Sequence, residues 1–248
     1  MRPLERITEL VRGRRSAIRD VIANRNLSIA YQPIVDMHTG KLFAHEALAR
    51  SMSPAFAGPL ELIDAAVDDK CMGELGHVLR QMTMEGCTDS QLFVNVNPNE
   101  FDEGWLVRSD DPLFFHNEQV YLEITESVPL SHFEFCNSVL AEIRSKGVRL
   151  VIDDFGAGYS NLRYISELVP DIVKLDMHLV RGISSTPRTR KLVRSIVQLC
   201  TDMNSRVVAE GIEVRDDFMA LRDVGVHFGQ GYLLARPAFP PPQITWPV

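Results

Sequence analysis

The sequence predicts an α/β fold: an eight-stranded barrel wrapped by helices, with an antiparallel first strand. Three observations carry this reading. Short apolar runs of strand character recur eight times along the chain. Segments of helical periodicity separate most of them. The 248 residues leave room for one large domain or two small ones, and barrels often fill this length as a single unit.

The strand runs begin with LSIAYQPIV (27–35) and KLFAHEAL (41–48), divided only by DMHTG. That gap is too short for a parallel crossover, so the two form an antiparallel hairpin at the start of the barrel. QLFVNV (91–96) follows a helical segment over 59–87, and QVYLEIT (119–125) follows a weak one near 100–115. VRLVID (148–153) comes after helical residues 131–146, and DIVKLD (171–176) after 160–168. SRVVAE (205–210) follows 188–203, and HFGQGYLL (227–234) follows 215–224. Strands alternating with helices imply parallel βαβ units. A count near eight favours closure into a TIM-like (β/α)8 barrel over an open sheet.

Residues 4–22 place Leu4, Ile7, Val11, Ile18 and Ile22 at helical spacing. The expected organisation is therefore an N-terminal helical segment over 1–24 and the barrel domain over 25–248. The segment reads as a helix packed on the barrel, with the tail of a signalling or dimerising helix as the alternative. No Pro/Ser linker divides the rest of the chain.

Composition narrows the function classes. Apolar residues form 45% and charged residues 24% of the chain, the balance of an ordinary globular protein. A net charge of -7 argues against a broad grip on a nucleic acid polymer, but not against a small anionic ligand held by local cations and metals. Cys71, Cys87, Cys136 and Cys200 are scattered, without zinc-site or disulfide-framework spacing. The Arg- and Glu-interrupted amino terminus lacks a signal-peptide core, and no stretch reaches the length of a membrane span. The expectation is a soluble cytoplasmic protein.

The polar residues that close the apolar runs point to chemistry. In order they are Glu46, Asn95, Glu123, Asp153 with Asp154, Lys174, Glu210 and Gln230. The carboxyl ends of barrel strands open onto one face, where active sites sit. Convergence there sets five carboxylates against Lys174, with Arg50 nearby in sequence. Two like charges ~4 Å apart repel by about 4 kcal/mol at an effective dielectric near ~20, so protons or metal ions must neutralise the group. Carboxylates plus an Asn95 amide oxygen suit magnesium or manganese, and the shortage of His and Cys disfavours zinc. A rigid Asp153 and an Asp154 in the following turn both reach one site, the arrangement of two-metal phosphoester hydrolysis.

HEALAR (45–50), VNVNP, EITES, DDFGAGYSNL, VKLD and AEGIE occur in an order that resembles the EAL-domain phosphodiesterases, which hydrolyse the bacterial second messenger cyclic di-GMP. The likeness runs from YQPIVD (31–36) to GQGYLLARP (229–237). The resemblance implies that Glu46, Asn95, Glu123 and Asp153 hold one metal, and Asp153, Asp154 and Glu210 a second. It casts Lys174 as the residue that orients the attacking water, Gln230 as a partner of water or metal, and Glu210 as ligand or general base. Gln32, Arg50, Asp176 and Glu213 fall where the family lines or supports the ligand site, and Glu126 would anchor the loop beginning at Asp154. Two Mg2+ or Mn2+ ions and a homodimer paired around the fifth and sixth strands are implied as well. Ca2+, larger and tolerant of irregular coordination, is expected to inhibit, and an upstream sensory or regulatory domain or partner is an open expectation. Ala157 and Asn97 depart from the family's usual Thr and Ser without removing a ligand.

Two other readings compete, and two motif matches are accidental. A receptor that binds cyclic di-GMP without cutting it is the first, although none of the expected acidic ligands is missing. A Schiff-base aldolase using Lys174 is the second; surrounding carboxylates should keep that amine protonated and a poor nucleophile. The kinase-like DDFG lacks a glycine-rich phosphate loop, and HEALA is not HExxH because position 49 is alanine.

Overall fold

The computed structural model describes residues 17–125, 133–157 and 162–247. A helical segment over 17–23 (α1) precedes β1 (Leu27–Asp36) and β2 (Leu42–Ser51), followed by α2 (Pro59–Asp68) and α3 (Met72–Gly86). β3 (Leu92–Val96) leads into α4 (Asn99–Asp102), two 3-10 turns, and β4 (Val120–Thr125). Then come α5 (Phe133–Ser145), β5 (Arg149–Phe155), α6 (Arg163–Leu168), β6 (Ile172–Leu175), α7 (Met177–Val180) and α8 (Pro187–Asp202). β7 (Arg206–Ala209), α9 (Arg215–Asp223) and β8 (Phe228–Gly229) complete the elements among the described residues.

The strands close into a barrel in sequence order. β1 runs antiparallel to both β2 and β8, and every other neighbouring pair is parallel. The hairpin forms because Asp36 Oδ1 accepts from the backbone N–H groups of His38 and Thr39, and Gly40 takes φ +73°, which glycine adopts without a Cβ clash. The expected fold class is the observed one.

Three expected elements differ in detail. The helix over 59–87 is two helices: Lys70 adopts φ +52°, and the Cys71 N–H turns back to the Ala66 carbonyl. The weak segment near 100–115 holds one four-residue helix and two 3-10 turns, broken by Gly104 at φ +69° and Pro112. The last run pairs over two residues only, because Gly231 sits against the Ile212 backbone, where a Cβ would come within 2.1 Å of its carbonyl oxygen.

Side chains alternate across a strand, so every second residue faces the barrel axis. One apolar or aromatic residue from each strand meets there: Ile34, Ala44, Phe93, Tyr121, Val151, Ile172, Val208 and Phe228. Phe93 stacks on Tyr121 at 4.6 Å. Below them Phe43 stacks on Phe228 at 3.9 Å, and the Arg206 guanidinium lies 4.9 Å over both rings. These groups fill the lower barrel as a packed floor. The intervening residues, such as Val94, Leu122, Ile152 and Val207, face outward into the larger core beneath the helices.

A separate apolar cluster joins Ile18 and Val21 of α1 to Leu62, Ala66 and Leu75 of α2 and α3. Arg19 reinforces it through Asp69 at 2.6 Å and Glu74 at 3.2 Å. Cys71, Cys87 and Cys200 are buried free thiols. Among the described residues no helix is long and apolar enough to cross a membrane.

Candidate active site

Two residues beyond each floor position, toward the carboxyl ends of the parallel strands, the axial side chain becomes polar. Ala44 gives way to Glu46, Phe93 to Asn95, Tyr121 to Glu123, Val151 to Asp153, Ile172 to Lys174, Val208 to Glu210 and Phe228 to Gln230. On the reversed β1 the same step runs backwards, from Ile34 to Gln32. Every strand direction thus contributes one polar group to a ring above the floor. The strand ladders fix their heights: Asn95 pairs in register with Glu123, and Gln32 with Glu46.

Lys174, fully buried, stands at the centre. Its Nζ lies 2.6 Å from Glu123 Oε1, 2.6 Å from Glu210 Oε1, 3.1 Å from Asp153 Oδ1 and 3.4 Å from Glu46 Oε2. Gln230 Nε2 donates to Glu46 Oε2 at 2.6 Å and to Gln32 Oε1 at 3.0 Å, while Asn95 Nδ2 donates to Glu46 Oε1 at 3.2 Å. Gln32 is itself tied to the Ala235 carbonyl at 3.0 Å.

Asp154 reaches the same region by a different route. It adopts φ +58°, a left-handed conformation that aspartate tolerates better than most residues, and its N–H donates to Asp153 Oδ1 at 3.0 Å. Gly156, at φ +105°, completes the turn where a Cβ would meet Leu179 Cδ1 at 2.4 Å. Asp153, Asp154 and Glu210 consequently present carboxylate oxygens within 4.8 Å of one another. The buried strand delivers two negative charges because one belongs to its axial face and the other to the turn that ends it.

One ammonium cannot balance this set. Burial, reinforced by Glu46 and Asp153, holds the Glu123 carboxyl well above its usual range despite Lys174. Burial, with Asp153 and Glu46 adding to it, pushes Glu210 up to about 8 and outweighs Lys174. Asp154 is pushed up to about 6 by burial and by Asp153. Glu46 ends below its ordinary value: burial would raise it, but Lys174 and the Gln230 and Asn95 amides overcome that. Lys174 would lose its proton to burial, yet Asp153, Glu123, Glu210 and Glu46 together hold it well above the usual lysine range.

The donor set fits a hard divalent cation. It consists of carboxylate and amide oxygens, and Glu123 Oε2 and Gln230 Oε1 are buried with no hydrogen-bond partner among the described residues. Desolvated acceptors of this kind cost about 1–3 kcal/mol each when left unpaired, and a metal ion satisfies them.

A cavity of about 310 Å³ opens directly onto the ring. Gln32, Glu46, Asp154, Asp176, Glu210, Glu213 and Gln230 line it, so sequence reasoning placed these seven residues together. Asp176 also caps α7, accepting from the His178 N–H at 2.8 Å. Arg50 lies elsewhere: its guanidinium donates to the Ala49 carbonyl at 2.9 Å and borders an adjoining cavity of about 330 Å³ that Asn95 also lines. Glu126 lies outside the described residues.

Leu48, Met177, Arg181 and Tyr232 line the main cavity without having been singled out from sequence. Tyr232 follows Gln230 by two residues, so period-two alternation carried a signal for it. Arg181 had none, because it arrives through the single helical turn of α7.

Known proteins share this arrangement of sequence and fold. A cyclic di-GMP phosphodiesterase of Pseudomonas aeruginosa is 32% identical over 231 residues, covering 88% of this chain and 39% of the relative. The Escherichia coli cyclic di-GMP phosphodiesterase PdeR is 30% identical over 233 residues, covering 89% of this chain and 35% of the relative. The chain therefore spans well under half the length of these curated relatives. The manganese and cyclic di-GMP complex of Klebsiella pneumoniae BlrP1 matches with a TM-score of 0.70 at 32% identity, over 86% of this chain and 56% of that one. The EAL enzyme Bd1971, bound to cAMP and cyclic di-GMP, matches with a TM-score of 0.80 at 26% identity, over 94% of this chain and 67% of that one. The family model of the EAL domain matches residues 15–237, and the chain belongs to the EAL domain family.

Proposed function

We propose that this domain is a metal-dependent phosphodiesterase that opens cyclic di-GMP to linear pGpG. The observation that carries the reading is the convergence of Asp153, Asp154 and Glu210 oxygens within 4.8 Å, beside a buried Glu123 Oε2 with no hydrogen-bond partner among the described residues. The relatives named as cyclic di-GMP phosphodiesterases, and the neighbour structures holding cyclic di-GMP with manganese or calcium, support the substrate and the ion class.

In this reading Glu46, Asn95, Glu123 and Asp153 would hold one Mg2+ or Mn2+, and Asp153, Asp154 and Glu210 would hold a second. Such ions supply an activated water and neutralise charge on the phosphoryl oxygens. The chain's own groups do the rest. Lys174, anchored by four carboxylates, keeps its proton and faces negative charge developing on the phosphate. Glu210 would serve as a metal ligand or take a proton from the attacking water. Gln230 and Gln32 hold Glu46 in place, Glu213 and Asp176 line the substrate's approach, and Arg50 contacts a phosphate from the adjoining cavity. A protonated Lys174 makes a Schiff base unfavourable.

The same reading includes a division between residues 1–24 and 25–248, a cytoplasmic homodimer paired around β5 and β6, and control by an upstream sensory or regulatory segment. The short coverage of the longer relatives supports a module that works alongside other segments.

The test is incubation of purified protein with cyclic di-GMP and Mg2+ or Mn2+. Linear pGpG is expected, with Ca2+ inhibiting because a larger, loosely coordinated ion relaxes the compact site. Tight binding with no product in either metal would make the domain a receptor instead.

A further inference from the structure

Among the described residues that line the main cavity, five carboxylates accompany a single cation, Arg181. Its guanidinium stands at the rim, half-exposed, and pairs with Glu213 Oε1 at 2.5 Å. It lies over Gly211, the residue after Glu210: a Cβ there would be 3.8 Å from Arg181 Nε and 2.6 Å from Met177 Cβ. The positive φ of +66° at Gly211 and its missing side chain let the α7 turn bring this arginine down beside Glu210.

A cyclic dinucleotide carries two phosphates. The one being cut is served by Lys174, the carboxylate-held ions and Arg50 from the adjoining cavity, while the other enters a cavity whose charged lining among the described residues is acidic apart from Arg181. We infer that Arg181 anchors the phosphate that is not cut, releasing part of its pairing with Glu213 as the substrate enters. This rests on the phosphodiesterase reading above. The guanidinium suits the task because its planar fork can donate to two phosphate oxygens at once while a further N–H stays on Glu213. The exchange replaces an exposed ion pair of little net value with a contact to a bound anion. Arg181 is thus an affinity and specificity residue that touches the substrate away from the reacting bond.

The test compares two substrates: cyclic di-GMP, with two phosphates, and bis(p-nitrophenyl) phosphate, with one. Changing Arg181→Gln should lower the ratio of kcat/KM for cyclic di-GMP to that for the single-phosphate diester by roughly tenfold or more, mostly through KM. Arg181→Lys should recover part of the loss. Calorimetric titration of cyclic di-GMP in EDTA, where nothing turns over, should show a matching rise in Kd. An unchanged ratio in a variant whose wild-type parent cleaves both substrates would overturn the role of Arg181 and leave the phosphodiesterase reading standing. Equal losses on both substrates would also overturn it, since they mark a general electrostatic or folding effect. A wild-type protein that cleaves neither and does not bind cyclic di-GMP would sink both.

Discussion

Lys174 Nζ and Glu210 Oε1 meet at 2.6 Å inside a barrel that gives this ammonium three further carboxylates. The pair joins β6 to the end of β7 and is the clearest sign of a site carrying more negative charge than its protein groups can balance. Replacing Lys174 by methionine leaves that charge uncompensated in a buried place, which costs about 3–5 kcal/mol. Urea unfolding without metal should show a loss of this order, with partial recovery when Mn2+ is added.

The turn after Asp153 makes a second prediction. Gly156 sits at φ +105° with Leu179 Cδ1 where a Cβ would stand. Changing Gly156→Ala should cost about 1–3 kcal/mol of stability through backbone strain. Because the same turn sets Asp154, kcat should fall by at least about tenfold. Steady-state kinetics beside thermal unfolding would check both.

At the other end of the barrel Arg206 covers the Phe43 and Phe228 rings. Changing Arg206→Ala should lower stability by about 1–2 kcal/mol while leaving turnover within about twofold, since this end belongs to the scaffold. A turnover assay and a urea titration of the same sample would separate the two effects.

Asp217 accepts from the Gly182 and Ser184 N–H groups at 2.8 and 2.9 Å, tying α9 to the chain after α7. Burial would raise its pKa, but these hydrogen bonds overcome that and hold it below the usual carboxylate range. A carboxyl lowered on folding adds stability at neutral pH, and that contribution disappears as the pH falls through its folded pKa. Changing Asp217→Asn should therefore reduce stability at pH ~7 by about 1–3 kcal/mol and flatten part of the acid limb. Urea midpoints measured between neutral and strongly acidic pH would reveal it.

Much of this architecture was legible in the sequence because period-two patterning reports which face a strand side chain takes. Val151 and Asp153, two residues apart, belong to floor and ring, and the same spacing holds for Phe93 with Asn95 and Ile172 with Lys174. Patterning stops where the backbone leaves regular geometry. It missed the break at Lys70, the shortened β8, and Arg181, which a four-residue helix carries to the cavity. Arg50, four residues after Glu46, borders the adjoining cavity that Asn95 also lines.

Calorimetric titration of Mn2+ into metal-free protein at pH ~7, repeated in buffers of different ionisation enthalpy, probes the crowding of carboxylates most directly. Two ions should bind per chain, with net proton release as raised carboxyls such as Glu210 surrender their protons, and Asp153→Asn should abolish at least one binding event. No binding, or binding unaffected by that substitution, would contradict the account.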